Sequence, residues 1–119
     1  MQLETHEQIV VANWLREQGI FFTASAGGAR TSIGTGKKLK MMGYKRGCPD
    51  LLIFEPRMPW HGLFVELKRS AVIGHSQGRP TPEQKEFEVE AIKRGYQFRF
   101  AYGSDDAITM ISKYLNGDL

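Results

Sequence analysis

The sequence predicts an α/β fold, a central mixed β-sheet flanked by α-helices. Segments with apolar residues at helical spacing alternate with short apolar runs of strand character, in the order helix, strand, loop, hairpin, helix, strand, helix. Size agrees: 119 residues, 41% of them hydrophobic, suit one domain spanning 1–119 whose core needs no metal or disulfide to hold it.

Glu7, Val10, Val11, Trp14 and Leu15 recur at helical spacing, so a helix is expected from about Glu4 to Gln18, stopped by Gly19. Ile20 to Ala24 reads as a strand. The stretch SAGGARTSIGTGKKLKMMGYKRG carries six glycines and is expected to be an ordered but mobile basic loop, with a short helical turn near Leu39 to Met42. Asp50 to Glu55 and Leu63 to Arg69 read as strands of a hairpin turned over Pro56 to Gly62. Thr81-Pro82-Glu83-Gln84 supplies an N-cap, a proline at the first helical position and a capping-box glutamine, which opens a helix to about Arg94 with Gly95 as its stop. Tyr96 to Tyr102 is a further strand. Ser104 can cap a last helix with Ala107, Ile108, Ile111, Tyr114 and Leu115 on its apolar face. Trp14 and Phe87 are expected in the core.

The net charge of +3 conceals an uneven distribution. Between Gln18 and Pro49 there is no acidic residue, while Arg30, Lys37, Lys38, Lys40, Lys45 and Arg46 are basic; the rest of the chain has 10 basic against 13 acidic residues, or −3. A basic segment on an acidic body is the footprint of a protein that binds a polyanion such as nucleic acid, although a solvated basic loop has the same composition. The single cysteine, Cys48, cannot form an internal disulfide, and MQLETHEQIVVANWLREQG has neither a basic leader nor an apolar signal core. The expected setting is intracellular and cytoplasmic. No run approaches the roughly 20 apolar residues that span a bilayer, which excludes a membrane-spanning helix.

The chemistry is concentrated in two strands. An aspartate at the head of GCPDLLIF weakens strand propensity, and its carboxylate is expensive to bury unless something charged meets it. In GLFVELKRS the side chains alternate, so Leu63, Val65 and Leu67 point one way and Phe64, Glu66 and Lys68 the other. If the hairpin sets Asp50 beside this strand, Asp50, Glu66 and Lys68 converge at one end of an apolar sheet. Two carboxylates that close repel each other unless a divalent cation sits between them, and an all-oxygen donor set suits Mg²⁺ or Mn²⁺ better than Zn²⁺. A lone Glu-x-Lys on a strand is most often a solvated pair. The proline-aspartate at a strand start, the hairpin-sized gap and the preceding basic segment make the combination far rarer than its parts.

Pro49-Asp50 followed by Glu66-Leu67-Lys68 resembles the signature of the PD-(D/E)XK nuclease superfamily. More narrowly, RGCPDLLIF, GLFVELKRS, GRPTPEQKEFEVEAIKRGY and the closing helix resemble the VRR-NUC domain, the virus-type replication-repair nuclease, in the right order from Glu4 to Leu115. The resemblance implies a restriction-endonuclease-like fold. It also implies a metal held by Asp50, Glu66 and the main-chain carbonyl of Leu67, with Lys68 acting on the attacking water or the developing charge. The family has an acid in its first helix with a glutamine four residues later. Glu4 and Gln8 match that spacing, while Glu7 lies on the face shared with Val11 and Trp14, so both acids stand as candidates beside exposed first-turn acids favoured by the helix dipole. Gln84 matches the family's glutamine in PEQ, and its capping-box role explains it equally well.

The function implied is a metal-dependent, structure-specific DNA endonuclease acting in DNA repair, on branched DNA such as four-way (Holliday) junctions. Symmetric cuts on opposing strands then call for a homodimer, with Leu39, Met41, Met42 and Tyr44 either part of its interface or an anchor for the basic loop. The alternatives are a nuclease that trims flaps or ends and a non-catalytic nucleic-acid-binding module of the same fold. A phosphate loop is rejected, since Thr31 and Lys38 stand where it needs glycine and a hydroxyl residue. His6, His61 and His75 have no ligand spacing, and Cys48 reads as a small packing residue.

Overall fold

The computed structural model describes residues 3–25, 33–71 and 78–119. Arg30 and His75 lie outside them. The described elements are α1 (Leu3–Glu17), β1 (Phe22–Ala24), α2 (Ile33–Met41), β2 (Leu51–Ile53), β3 (Gly62–Lys68), α3 (Pro82–Lys93), β4 (Tyr96–Tyr102) and α4 (Ser104–Leu115). The strands form one sheet in the order β1-β2-β3-β4, antiparallel at the first two pairings and parallel between β3 and β4. The sheet is therefore mixed, as expected from sequence.

Each face of the sheet has its own cover. Leu63, Val65 and Leu67 of β3, with Leu51 and Ile53 of β2, bury against Val11 and Leu15 of α1 and Ala107, Ile111 and Tyr114 of α4. The other face is aromatic. Phe64 stacks on Tyr96 at 4.9 Å between ring centroids, and Phe87 of α3 reaches Phe64 and Phe98 at 6.5 and 6.1 Å. Phe64, Glu66 and Lys68 thus look toward α3, so an acid and a lysine follow an aromatic floor along β3.

Four expectations are corrected. The glycine-rich basic stretch holds a nine-residue helix, α2, rather than a loop with a single turn. Its glycines fall in the first turn, and Lys37 to Met41 are good helix formers uninterrupted by proline. The helix ends in a Schellman motif, with Tyr44 N–H on the Leu39 carbonyl, Gly43 N–H on the Lys40 carbonyl and Gly43 at φ 111°. β1 begins at Phe22 because Ile20 N–H still bonds back to Leu15 at the exit of α1. β2 is three residues long, although bonds from Ser25 N–H to the Asp50 carbonyl and from Phe54 N–H to the Phe21 carbonyl carry the pairing one step further at each end. Finally, Ser104 does not cap α4: Gly103 stands at the cap without a side-chain bond, Ser104 is already helical, and Asp106 Oδ2 accepts from Tyr102 N–H at 2.8 Å.

Candidate active site

The register decides which residues meet. Leu51 pairs with Val65, so Asp50 lies across from Glu66, at the carboxy-terminal end of β3 and the amino-terminal end of β2. The chain enters this position through Gly47, at φ 90°, packed so tightly on the first turn of α3 that a Cβ there would collide with the Glu83 carbonyl. Pro49 is fully buried. Only a glycine allows that approach, and it sets Asp50 and the start of α3 side by side.

Both carboxylates are held by neighbouring N–H groups, Asp50 by one and Glu66 by two. Leu67 N–H donates to Asp50 Oδ2 at 2.7 Å, and Asp50 N–H donates to Glu66 Oε2 at 3.2 Å. Gln84 Nε2 donates to Glu66 Oε1. The same Gln84 closes the capping box of α3: its Oε1 accepts from Thr81 N–H at 2.9 Å, while its own N–H donates to Thr81 Oγ1 at 3.2 Å. The two explanations of Gln84 thus coexist in one amide, whose oxygen caps the helix and whose nitrogen steadies the acid.

Glu66 is only 5% exposed. Burial pushes its carboxyl up to about 9, the neighbouring Asp50 carboxylate pushes the same way, and Lys68 acts in the opposite sense. Lys68 is half-buried two positions further along the same strand face, beside the chain returning at Gly78, whose N–H donates to the Arg69 carbonyl at 2.8 Å.

The first-helix acids part company. Glu4 is exposed, whereas Glu7 is half-buried one turn before Val11, its Oε1 3.2 Å from where a Cβ on Gly103 would stand, a point that Ser70 Oγ also approaches at 3.4 Å. It therefore reaches the carboxy-terminal ends of β3 and β4. Among the described residues no three His, Cys, Asp or Glu side chains come together to hold a metal, so the acidic set in close contact is Asp50 and Glu66.

Two neighbours escaped the sequence reading. Burial raises both the Tyr44 phenol and the Cys48 thiol, and the charges of Glu66 and Asp50 raise them further, with Ser25 working against this at Cys48. Tyr44 and Cys48 therefore stand at the edge of the carboxylate pair. The available signal was their position, within six residues of Asp50 in a turn that must fold back on it. Of the basic candidates, Lys37, Lys38, Lys40, Lys45 and Arg46 are all exposed. No helix among the described residues is long and apolar enough to cross a membrane.

A scan against protein-family models and a search of curated proteins find no match. Among solved structures, a VRR_NUC domain protein superposes with a TM-score of 0.79 at 32% sequence identity, over 98% of this chain and 90% of that chain. The four-stranded mixed sheet with its flanking helices is the restriction-endonuclease-like arrangement expected of that family. With the same fold, near-complete mutual coverage and about one residue in three identical, the chain belongs to the VRR-NUC family of nuclease-type domains.

Proposed function

We propose that this chain is a single-domain, metal-dependent endodeoxyribonuclease that hydrolyses phosphodiester bonds in branched DNA, four-way junctions foremost. The observation that carries the reading is the opposition of Asp50 and Glu66 across β2 and β3, with Lys68 on the same strand face. A purely structural pair has no need of two facing acids, one of them 5% exposed, on strands whose buried residues are mostly apolar.

The donor chemistry fits Mg²⁺ or Mn²⁺. Asp50, Glu66 and the Leu67 carbonyl would hold the ion, an oxygen-only set of the kind Mg²⁺ accepts while keeping several waters. When bound, a divalent ion supplies neutralising charge between the carboxylates and makes a water a better nucleophile. The chain's own residues do the rest. Leu67 N–H fixes the Asp50 carboxylate, Gln84 and Asp50 N–H fix that of Glu66, and Lys68 offers an ammonium to orient the attacking water or to balance charge on the phosphate. Glu7 is the better placed of the two first-helix acids to approach this end of the sheet, and Glu4 faces solvent.

Substrate grip falls to α2 and the turn after it. Lys37, Lys38, Lys40, Lys45 and Arg46, with Arg30 outside the described residues, supply the phosphate contacts. Two symmetric cuts in a junction require two sites, hence a homodimer. A DNA substrate and a single cysteine accord with an intracellular, cytoplasmic protein. The test is to incubate labelled linear, flapped and four-way DNA with Mg²⁺, Mn²⁺ or EDTA and to map the cuts. Paired symmetric cuts in the junction that vanish in EDTA are expected. Cutting confined to flaps or ends would replace resolution by trimming, and binding without cutting in either metal would leave a non-catalytic module.

A further inference from the structure

The carboxylate site makes no use of two methionines at the end of α2. Met41 is 88% and Met42 73% exposed. α2 has no extensive contact with any other described helix or strand, and it leans on the body through Leu39 and, just past its cap, Tyr44, both half-buried. At 3.6 residues per turn Met41 lies about 200° round the helix from Leu39, on the side turned away from the body. Adjacent long apolar side chains this exposed point to a surface that covers them.

The surroundings select that surface. Lys37, Lys38, Lys40, Lys45 and Arg46, all exposed, flank the methionines along the chain, and no acid lies between Gln18 and Pro49. A second copy docked here about a two-fold axis would set these cations against their own equivalents, so the face is unsuited to self-association. A polyanion complements it. Phosphates account for the lysines but not for the methionines, which need apolar surface, and nucleic acid offers that chiefly at the faces of its bases. The chain also ties the two places together. Met42 is eight residues before Asp50, and the intervening Tyr44 lies close enough to Asp50 and Glu66 to feel their charge.

We propose that Met41 and Met42 form an apolar wedge that enters bound DNA at a base step and unstacks it, with the surrounding lysines and arginine seated on the flanking phosphates. The proposal rests on the nuclease reading and deepens it. Unstacking an intact duplex is unfavourable, so a wedge on the segment that leads into the cutting site favours DNA already opened at a branch, flap or mismatch.

The test uses the full chain carrying Asp50→Asn, in EDTA, on junctions and duplexes with 2-aminopurine placed step by step around the branch, at protein concentrations that saturate binding by anisotropy. A several-fold rise in emission at one step is expected. It should be lost in Met41→Ala/Met42→Ala and kept in Met41→Leu/Met42→Leu, with circular dichroism and melting unchanged in both. A rise that survives the alanine pair, or saturated complexes with no rise at any step, overturns the wedge. So does an alanine pair that turns a dimer into a monomer by light scattering, which would make the methionines a subunit seam. The two ideas fail separately. Metal-dependent cleavage by the wild-type chain without unstacking removes the wedge alone, and methionine-dependent unstacking without cleavage in any metal removes the nuclease alone.

Discussion

Asp50 and Glu66 face each other on paired strands, their oxygens held by main-chain N–H groups and by Gln84, whereas Lys37, Lys38 and Lys40 ride on a nine-residue helix that has no extensive contact with any other described helix or strand. The first region is over-determined: a buried proline, a glycine that admits no side chain and a helix cap all converge on two carboxylates. The second is underpacked and exposed. Chemistry needs groups held in place before substrate arrives, while gripping a long charged polymer needs only reach and charge. Substitutions should separate the two regions cleanly.

The largest effect belongs to the acids. Asp50→Asn and Glu66→Gln should each abolish metal-dependent cleavage while leaving DNA affinity and the far-ultraviolet spectrum unchanged. With the Glu66 carboxyl pushed up to about 9, the metal-free pair already holds a proton near neutral pH, so replacing either acid by its amide should leave melting in EDTA little changed. Mg²⁺ should raise the melting temperature of the wild type and barely move that of Asp50→Asn, because a ligand stabilises only the state that binds it. Cleavage by Asp50→Asn near the wild-type rate would refute the site.

Next comes Lys68→Ala, which removes a positioned ammonium and keeps the proposed ligands. The single-turnover rate should drop by about 10² to 10⁴, with metal affinity by calorimetry preserved. Full-rate cleavage would take the lysine out of the mechanism.

On the other side of the comparison, neutralising Lys37, Lys38 and Lys40 together should weaken DNA binding regardless of sequence. Each lost duplex phosphate contact should flatten the log–log salt dependence by about 0.9. Cleavage at saturating protein should change far less than affinity does. An unchanged salt slope would assign the grip to another surface.

The smallest effect tests the residue that joins the site to a helix end. Gln84→Ala removes half of the capping box and one support of Glu66, and it should lower stability by about 1 kcal/mol in denaturant melts. Cleavage should fall as well, through loss of Glu66 positioning. A variant equally unstable but fully active would reduce Gln84 to a cap.

The local parts of this fold were readable in advance because local chemistry specifies them. Thr81-Pro82-Glu83-Gln84 opens α3 by hydrogen bonds that span four residues, and β4 runs from Tyr96 to Tyr102 as its aromatic pattern implies. Alternation along GLFVELK was enough to separate Leu63, Val65 and Leu67 from Phe64, Glu66 and Lys68. α2 departs from the expected loop for an equally local reason: two glycines in its first turn lower its helix propensity, and five helix formers follow them and carry the helix.

Other features exist only in three dimensions. Alternation assigns Glu66 a face, but it is the packed sheet that buries its carboxyl and so raises it, and the Leu51 to Val65 register that brings Asp50 opposite to push the same way. Glu4 and Glu7 share a helix and a charge, and they differ because Glu7 approaches Gly103 at the end of β4 while Glu4 is exposed. The sequence alone determined which residue types enter each element, since caps, turns and strand alternation act over a few neighbours. Tertiary structure decided which charges meet and how far each is buried, because desolvation and Coulomb energy depend on distance in space and not on distance along the chain.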